Sequence, residues 1–233
     1  MYKGKFLSAV VTAAGSGTRM GTEINKPYLE ISEKKVLEYC LETITSISEF
    51  DEIILVVREE DFSLASEIVS IFRDPRIKMV GGGSSREEST YKGLAALNPD
   101  SELVLCHDGV RPFASRNLFL KVLEEMQTYR AAIAATMSKD TIKVANEKGE
   151  VDFTPNRDFV YNIQTPQAFD TRLIKNLYEK YFKSEAKITD DSQLFEFFDR
   201  NEPVKLVEGE YSNIKITTAE DIIFAIGYIR GQK

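Results

Sequence analysis

Runs such as "EIILVV" (Glu52–Val57) and "LVLC" (Leu103–Cys106) are almost unbroken stretches of apolar residues. A strand of that kind has no face to give to water, so it belongs inside a sheet covered on both sides. Phe6–Thr12, Ile77–Val80 and Ala131–Met137 read as further strands of the same sheet. Between them lie stretches with helical spacing: Val36–Ile47, Phe62–Phe72, Ser89–Leu97 and Leu118–Met126. A strand–helix–strand order repeated in this way predicts an α/β fold with a mostly parallel central sheet and helices on both faces. Right-handed crossovers then bring the carboxyl ends of the strands to one edge, where ligands of open α/β sheets sit. The loops predicted at that edge are "AAGSGTRM", "GGGSS" and "HDGVRPF".

After Thr141 the pattern changes. "TIKVANEKGEVDFT" alternates, turns at "NEKG" and alternates again, which predicts a β-arm around residues 141–163 leaving the sheet. "TPQAF" (Thr165–Phe169) returns to it. Leu173–Phe182 and Gln193–Phe198 read as helices, and "VKLVEG" (Val204–Gly209) and "NIKIT" (Asn213–Thr217) as strands. A last helix opens on a capping box of Thr218 and Asp221. Residues 1–233 read as one domain, a length that suits a single α/β core.

Composition narrows the function classes. Lysine and arginine total 30 against 37 acids, a formal charge of −7, which argues against nucleic acid or an anionic membrane as partner. No apolar run approaches the roughly 20 residues of a membrane helix. The two cysteines, Cys40 and Cys106, match no metal spacing and read as reduced, which suggests a cytoplasmic protein. One histidine, His107, rules out a multi-histidine metal centre and reads as a structural hydrogen-bonder. "FLSAVVTAA" behind Lys3 and Lys5 has some features of a secretion signal. Its valines, and the functional loop that continues from it, favour a buried strand instead.

The glycine-rich loop fits neither common template. Met20 stands where a dinucleotide fingerprint needs its third glycine, and no lysine follows Gly21 as a Walker loop requires. What remains is a loop whose backbone N–H groups can face anionic oxygens, with Arg19 as a bidentate fork and Lys26 as a compact charge. Met1–Lys26 carries Lys3, Lys5, Arg19 and Lys26 against Glu23, a locally positive stretch in an acidic chain. Asp108, at a strand end, can hold a divalent ion or a sugar hydroxyl, and Arg111 a phosphate. Asp190 and Asp191 read mainly as acids at a helix N-terminus rather than a metal pair.

Taken in order, "AAGSGTRM" with Lys26, "GGGSSREES", "HDGVRPF", "KDTIK", "TPQAF" and "VEGEYSNIKIT" resemble the 2-C-methyl-D-erythritol 4-phosphate cytidylyltransferase family. The likeness runs from about Phe6 to Ile229. It implies a Rossmann-like nucleotidyltransferase fold whose protruding arm clasps a second subunit in a homodimer. It further implies transfer of CMP from CTP to a polyol phosphate, with Mg²⁺. The residues that match the family's catalytic positions are Arg19, Lys26, Arg157 and Lys215. Ala13, Ala14, Gly15, Ser16, Gly17, Gly83, Ser84 and Ser89 match its CTP contacts. Asp108, Arg111 and Thr141 match its substrate contacts, with Asp108 also at the metal. Two departures stand out: a serine, Ser84, replaces the usual acid beside the cytosine, and "NKPY" replaces the usual "PKQ" around the lysine. Related alternatives are a ribitol-5-phosphate cytidylyltransferase, whose loop usually reads "AGGxGxRM", and a non-catalytic nucleotide-binding regulator.

Overall fold

The structure is a computed structural model that describes residues 1–15 and 25–232. In chain order its strands are β1 (Leu7–Thr12), β2 (Glu30–Ile31), β3 (Lys34–Lys35), β4 (Glu52–Val57), β5 (Ile77–Gly81), β6 (Leu103–Asp108), β7 (Ala131–Met137), β8 (Val144–Ala145), β9 (Val151–Phe153), β10 (Tyr161–Asp170) and β11 (Val204–Glu208). Its α-helices are α1 (Val36–Thr45), α2 (Phe62–Phe72), α3 (Arg86–Ala95), α4 (Arg116–Glu125), α5 (Thr171–Tyr181), α6 (Gln193–Phe198) and α7 (Ala219–Gly231). Seven strands form one sheet in the order β11-β7-β10-β6-β1-β4-β5. Every neighbouring pair is parallel except those made by β10, which runs antiparallel to β6 and β7.

The unbroken apolar runs are explained by two separate cores. Leu7, Ala9 and Val11 of β1 point into one, with Ile53, Leu55 and Val57 of β4 and residues of α1, α2 and α4. Val10 of β1 points into the other, with Ile54 and Val56 of β4 and residues of α3, α5 and α6. Alternate side chains leave a strand on opposite faces, so a strand with helices on both sides is apolar along nearly its whole length. Each fully buried valine, leucine or isoleucine contributes about 1.5–3 kcal/mol. The "SAVVT" stretch weighed against a secretion signal lies in β1, an interior strand of the sheet.

A small ribbon stands where the arm is predicted, but Tyr161–Ile163, at its predicted end, belong to β10 and pair with β7 in the main sheet. β8 and β9 pair only with each other, outside the main sheet. One predicted strand is absent: Asn213–Thr217 makes no ladder. Its hydrogen bonds go to other partners, because Asn213 donates to Gln164 Oε1 and Thr165 O and the Ile216 N–H bonds Val110 O at 2.9 Å. Asn213 and Ile216 are both fully buried, so the segment is pinned on either side of Lys215.

Candidate active site

β1 and β6 end side by side, with Thr12 opposite Asp108 in the register. The chain leaves β1 toward β4 and β5, then crosses back to place β6 on the other side of β1. The strand that follows β1 in the sheet's winding thus lies on one side and the strand that follows β6 on the other, and a crevice at the carboxyl edge between them is the usual ligand position in such sheets. A cleft of about 410 Å³ opens there, lined by Ala13, Ala14, Gly15, Lys26, Gly83, Ser84, Ser89, Asp108 and Lys215 among others. Nine of the residues expected at the site are thus brought together from five segments. Arg111 and Thr165 line an adjoining hollow of about 190 Å³ that shares Arg86, Asp108 and Lys215 with the cleft. Arg19, Ser16 and Gly17 lie outside the described residues. Arg157 and Thr141 line neither space; both are exposed on the arm and at its base.

Among the described residues, the cleft wall carries Lys26, Arg58, Arg86 and Lys215 against one acid, Asp108. A surface with that balance attracts anions. A larger hollow of about 640 Å³ opens beyond the adjoining one, near Phe195 and Leu206, but its wall holds Arg200 against Asp190, Glu196 and Glu202. Charge rather than size therefore marks the smaller cleft as the site for a phosphorylated ligand.

Asp108 ties the wall together. Its Oδ2 accepts from Arg111 Nε at 3.2 Å and from Lys215 Nζ at 3.0 Å. Burial alone would raise its pKa, but Lys215, Arg86 and Arg111 outweigh that and hold the carboxyl well below its usual range. It stays ionised at neutral pH. Arg111 also donates to the Asn213 carbonyl at 2.8 Å, which fastens the β6 loop to the Lys215 segment. His107, just before, is buried, and desolvation pushes its pKa down to about 4. Its Nε2 faces the Arg111 carbonyl and its Nδ1 faces the Thr165 hydroxyl, whose oxygen accepts from the Asp108 N–H. A neutral ring with the proton on Nε2 satisfies all three contacts. His107 is accordingly the structural hydrogen-bonder expected.

Arg86, the first residue of α3, forms a bidentate pair with Asp191 at 2.8 and 3.0 Å. The Tyr178 hydroxyl donates to the same carboxylate. Asp191 is 1% exposed, so it is a buried counter-charge for a cleft arginine rather than an acid at the start of α6. Asp190 does serve that start, accepting from the Ser192 N–H. A second buried acid, Asp61, accepts from Arg58 and from Asn25 Nδ2 at 2.9 Å, beside Lys26. The lysine stands on a tight turn with Pro27 as its second residue, anchored by buried Pro27 and Tyr28.

Arg58, Arg86 and their acids carry no motif of their own. Arg86 lies within the quoted "GGGSSREES", but its partner is 105 residues away and only the folded chain joins them.

A doubly wound sheet with a cationic cleft at its switch point is the architecture of a nucleotide-handling α/β domain. The model of the IspD family, 2-C-methyl-D-erythritol 4-phosphate cytidylyltransferase, matches residues 7–231, and the chain belongs to that family. It is 41% identical over 217 residues to the enzyme of that name from Clostridium botulinum (strain Loch Maree / Type A3), covering 93% of this chain and 94% of that one. Among solved structures it is similar to 4-diphosphocytidyl-2C-methyl-D-erythritol synthase from Anaerococcus prevotii, at 57% identity and a TM-score of 0.91 over 98% of this chain and 97% of that one. The cytidylyltransferase from Thermus thermophilus superposes with a TM-score of 0.77 at 27% identity, over 97% and 99%.

Proposed function

We propose that the chain transfers a cytidylyl group from CTP to 2-C-methyl-D-erythritol 4-phosphate, releasing pyrophosphate. A phosphate oxygen of the acceptor attacks the α-phosphorus of CTP. The new P–O bond forms as the bond to the bridging oxygen of pyrophosphate breaks, and pyrophosphate leaves with that electron pair. Both reactants are anions, so the chain's task is to position them and offset their repulsion. The observation that carries this reading is the four-to-one excess of cations over acids on the cleft wall.

Ala13–Gly17 would hold the triphosphate through backbone N–H groups, with Gly83, Ser84 and Ser89 beside the base. Lys26, Arg19 and Lys215 would face the α-phosphate. Arg111 would meet the acceptor phosphate in the adjoining hollow. Magnesium is usually held by one or two carboxylates together with substrate phosphates. Asp108 supplies one such carboxylate, kept ionised, so the donor set fits that ion; when bound, the ion would neutralise phosphate charge.

The arm supports a homodimer. Val151, Phe153 and Phe159 are 62%, 52% and 82% exposed in the single chain. Apolar groups so placed call for a covering surface. Arg157 and Thr141 would then serve a second copy's site rather than their own. Two buried free cysteines, and the absence of a helix long and apolar enough to cross a membrane among the described residues, fit the cytoplasmic placement we propose.

Pyrophosphate release from CTP with either 2-C-methyl-D-erythritol 4-phosphate or ribitol 5-phosphate tests the reading. The first acceptor is expected to support turnover. Lys26→Ala should cut that turnover by roughly 10²–10³ while changing CTP affinity far less. Release with ribitol 5-phosphate alone would reassign the acceptor, and near-normal turnover by folded Lys26→Ala would remove Lys26 from the chemistry.

A further inference from the structure

We infer that Glu88 sets the base preference of the cleft by accepting the hydrogen bond of the Ser84 hydroxyl. The inference rests on the reading above that Gly83, Ser84 and Ser89 seat the base. A serine hydroxyl can donate or accept. Left to rotate, it serves the 4-amino group of cytosine and the 4-carbonyl of uracil equally, and so discriminates between neither.

Ser84 is not left to rotate. Its Oγ donates to Glu88 Oε2 at 2.7 Å, and its backbone N–H donates to the same oxygen at 2.7 Å. The other carboxylate oxygen, Oε1, lies 3.4 Å from Lys92 Nζ, which itself donates to the Gly82 carbonyl at 2.9 Å. The carboxylate is thereby held from two sides. Gly83 makes room for it, since a Cβ there would fall 2.4 Å from Glu88 Cγ and Cδ. The bond from Ser84 Oγ also lowers the Glu88 pKa, keeping the group an acceptor at neutral pH.

The rest of the loop agrees. The Gly82 N–H is spent on the Val57 carbonyl at 2.7 Å, and the Gly83 N–H on Ser89 Oγ at 3.0 Å. Ser89 Oγ gives its own proton to the Ser85 carbonyl at 2.8 Å. The donors of Gly82, Gly83, Ser84 and Ser89 are consumed by acceptors of β4, α3 and the loop itself, and what Ser84 Oγ still offers is a lone pair. Such an edge accepts from an amine and leaves a carbonyl unmatched. It also cannot cradle a phosphate, which separates this end of the cleft from the cationic end.

The test compares kcat/KM for CTP and UTP in pyrophosphate release. In Glu88→Gln the amide can turn its N–H toward Ser84, freeing the hydroxyl to donate, and the CTP:UTP ratio should fall about tenfold, the worth of one hydrogen bond. Adding Ser84→Asp to Glu88→Gln supplies an acceptor that needs no partner and should restore the ratio. A purely structural role of Glu88 at the start of α3 would lower both nucleotides alike and show no such rescue. If Glu88→Gln does not fold, Ser84→Ala should lower the ratio with Glu88 in place. A wild-type preference for CTP that survives in these variants overturns the inference alone. A wild-type chain indifferent to the base overturns it together with the cytidylyl reading.

Discussion

The cleft and the arm are built on opposite terms. Each cation of the cleft and its adjoining hollow whose partner is identified above is matched to a buried acid of the same chain: Lys215 and Arg111 to Asp108, Arg86 to Asp191, Arg58 to Asp61. The arm does the reverse. Residues 141–153 are all exposed, and the β8–β9 ribbon pairs only with itself. One region has its geometry settled within a single chain, while the other presents apolar surface with nothing of its own to cover it. The difference teaches that a phosphate site needs charges fixed before substrate arrives, because reorganising them during reaction would forfeit their benefit. An arm that reaches outward has no such requirement until a second surface meets it.

Three substitutions would break or sharpen this contrast. The largest effect is expected at Asp191, where Asp191→Ala strands the Arg86 guanidinium and should cost about 3–5 kcal/mol of stability in denaturant unfolding. A loss below about 1 kcal/mol would mean the cleft arginine needs no buried counter-charge. A smaller effect should come from His107 on acidification. Its folded pKa, about 4, lies below the ordinary histidine value of 6.5. Between those values the unfolded chain binds a proton the folded chain refuses, so stability falls as pH drops through that window, by up to about 3 kcal/mol. His107→Gln should flatten thermal-unfolding midpoints across pH 6.5 to 4, and an unchanged slope would place the sensitivity elsewhere. Asp108 acts lower: with a depressed pKa its contribution is lost only below the ordinary carboxylate range. The smallest effect should be at the arm, where Phe159→Ser changes the unfolding free energy of the isolated chain by no more than about 0.5 kcal/mol. The same variant should shift sedimentation toward monomer, and a dimer undisturbed by it would deny the arm its role in association.

The strands were legible because burial on both faces leaves few polar positions to confuse the pattern, and Ala131–Met137 and Gln193–Phe198 fall where their apolar runs place them. Asn213–Thr217 misled because alternation in "NIKIT" records two buried anchors, Asn213 and Ile216, rather than a ladder partner. Lys26, Asp108 and Lys215 could be singled out because each sits in a recognisable short motif. Arg58 and Arg86 could not, since their significance depends on Asp61 and Asp191, and no local pattern says which acid a given arginine will find.

The alternation of short apolar runs with helical stretches was enough to point to a sheet covered on both faces, since successive apolar residues on a strand need cover on each side. It also fixed which loops gather at the carboxyl edge, because crossovers have one hand. Tertiary structure alone decided how the charges there are held. An ion pair across 105 residues depends on where two distant segments come to rest. The bond that makes Ser84 a donor is by contrast local, since Glu88 lies only four residues further along the chain.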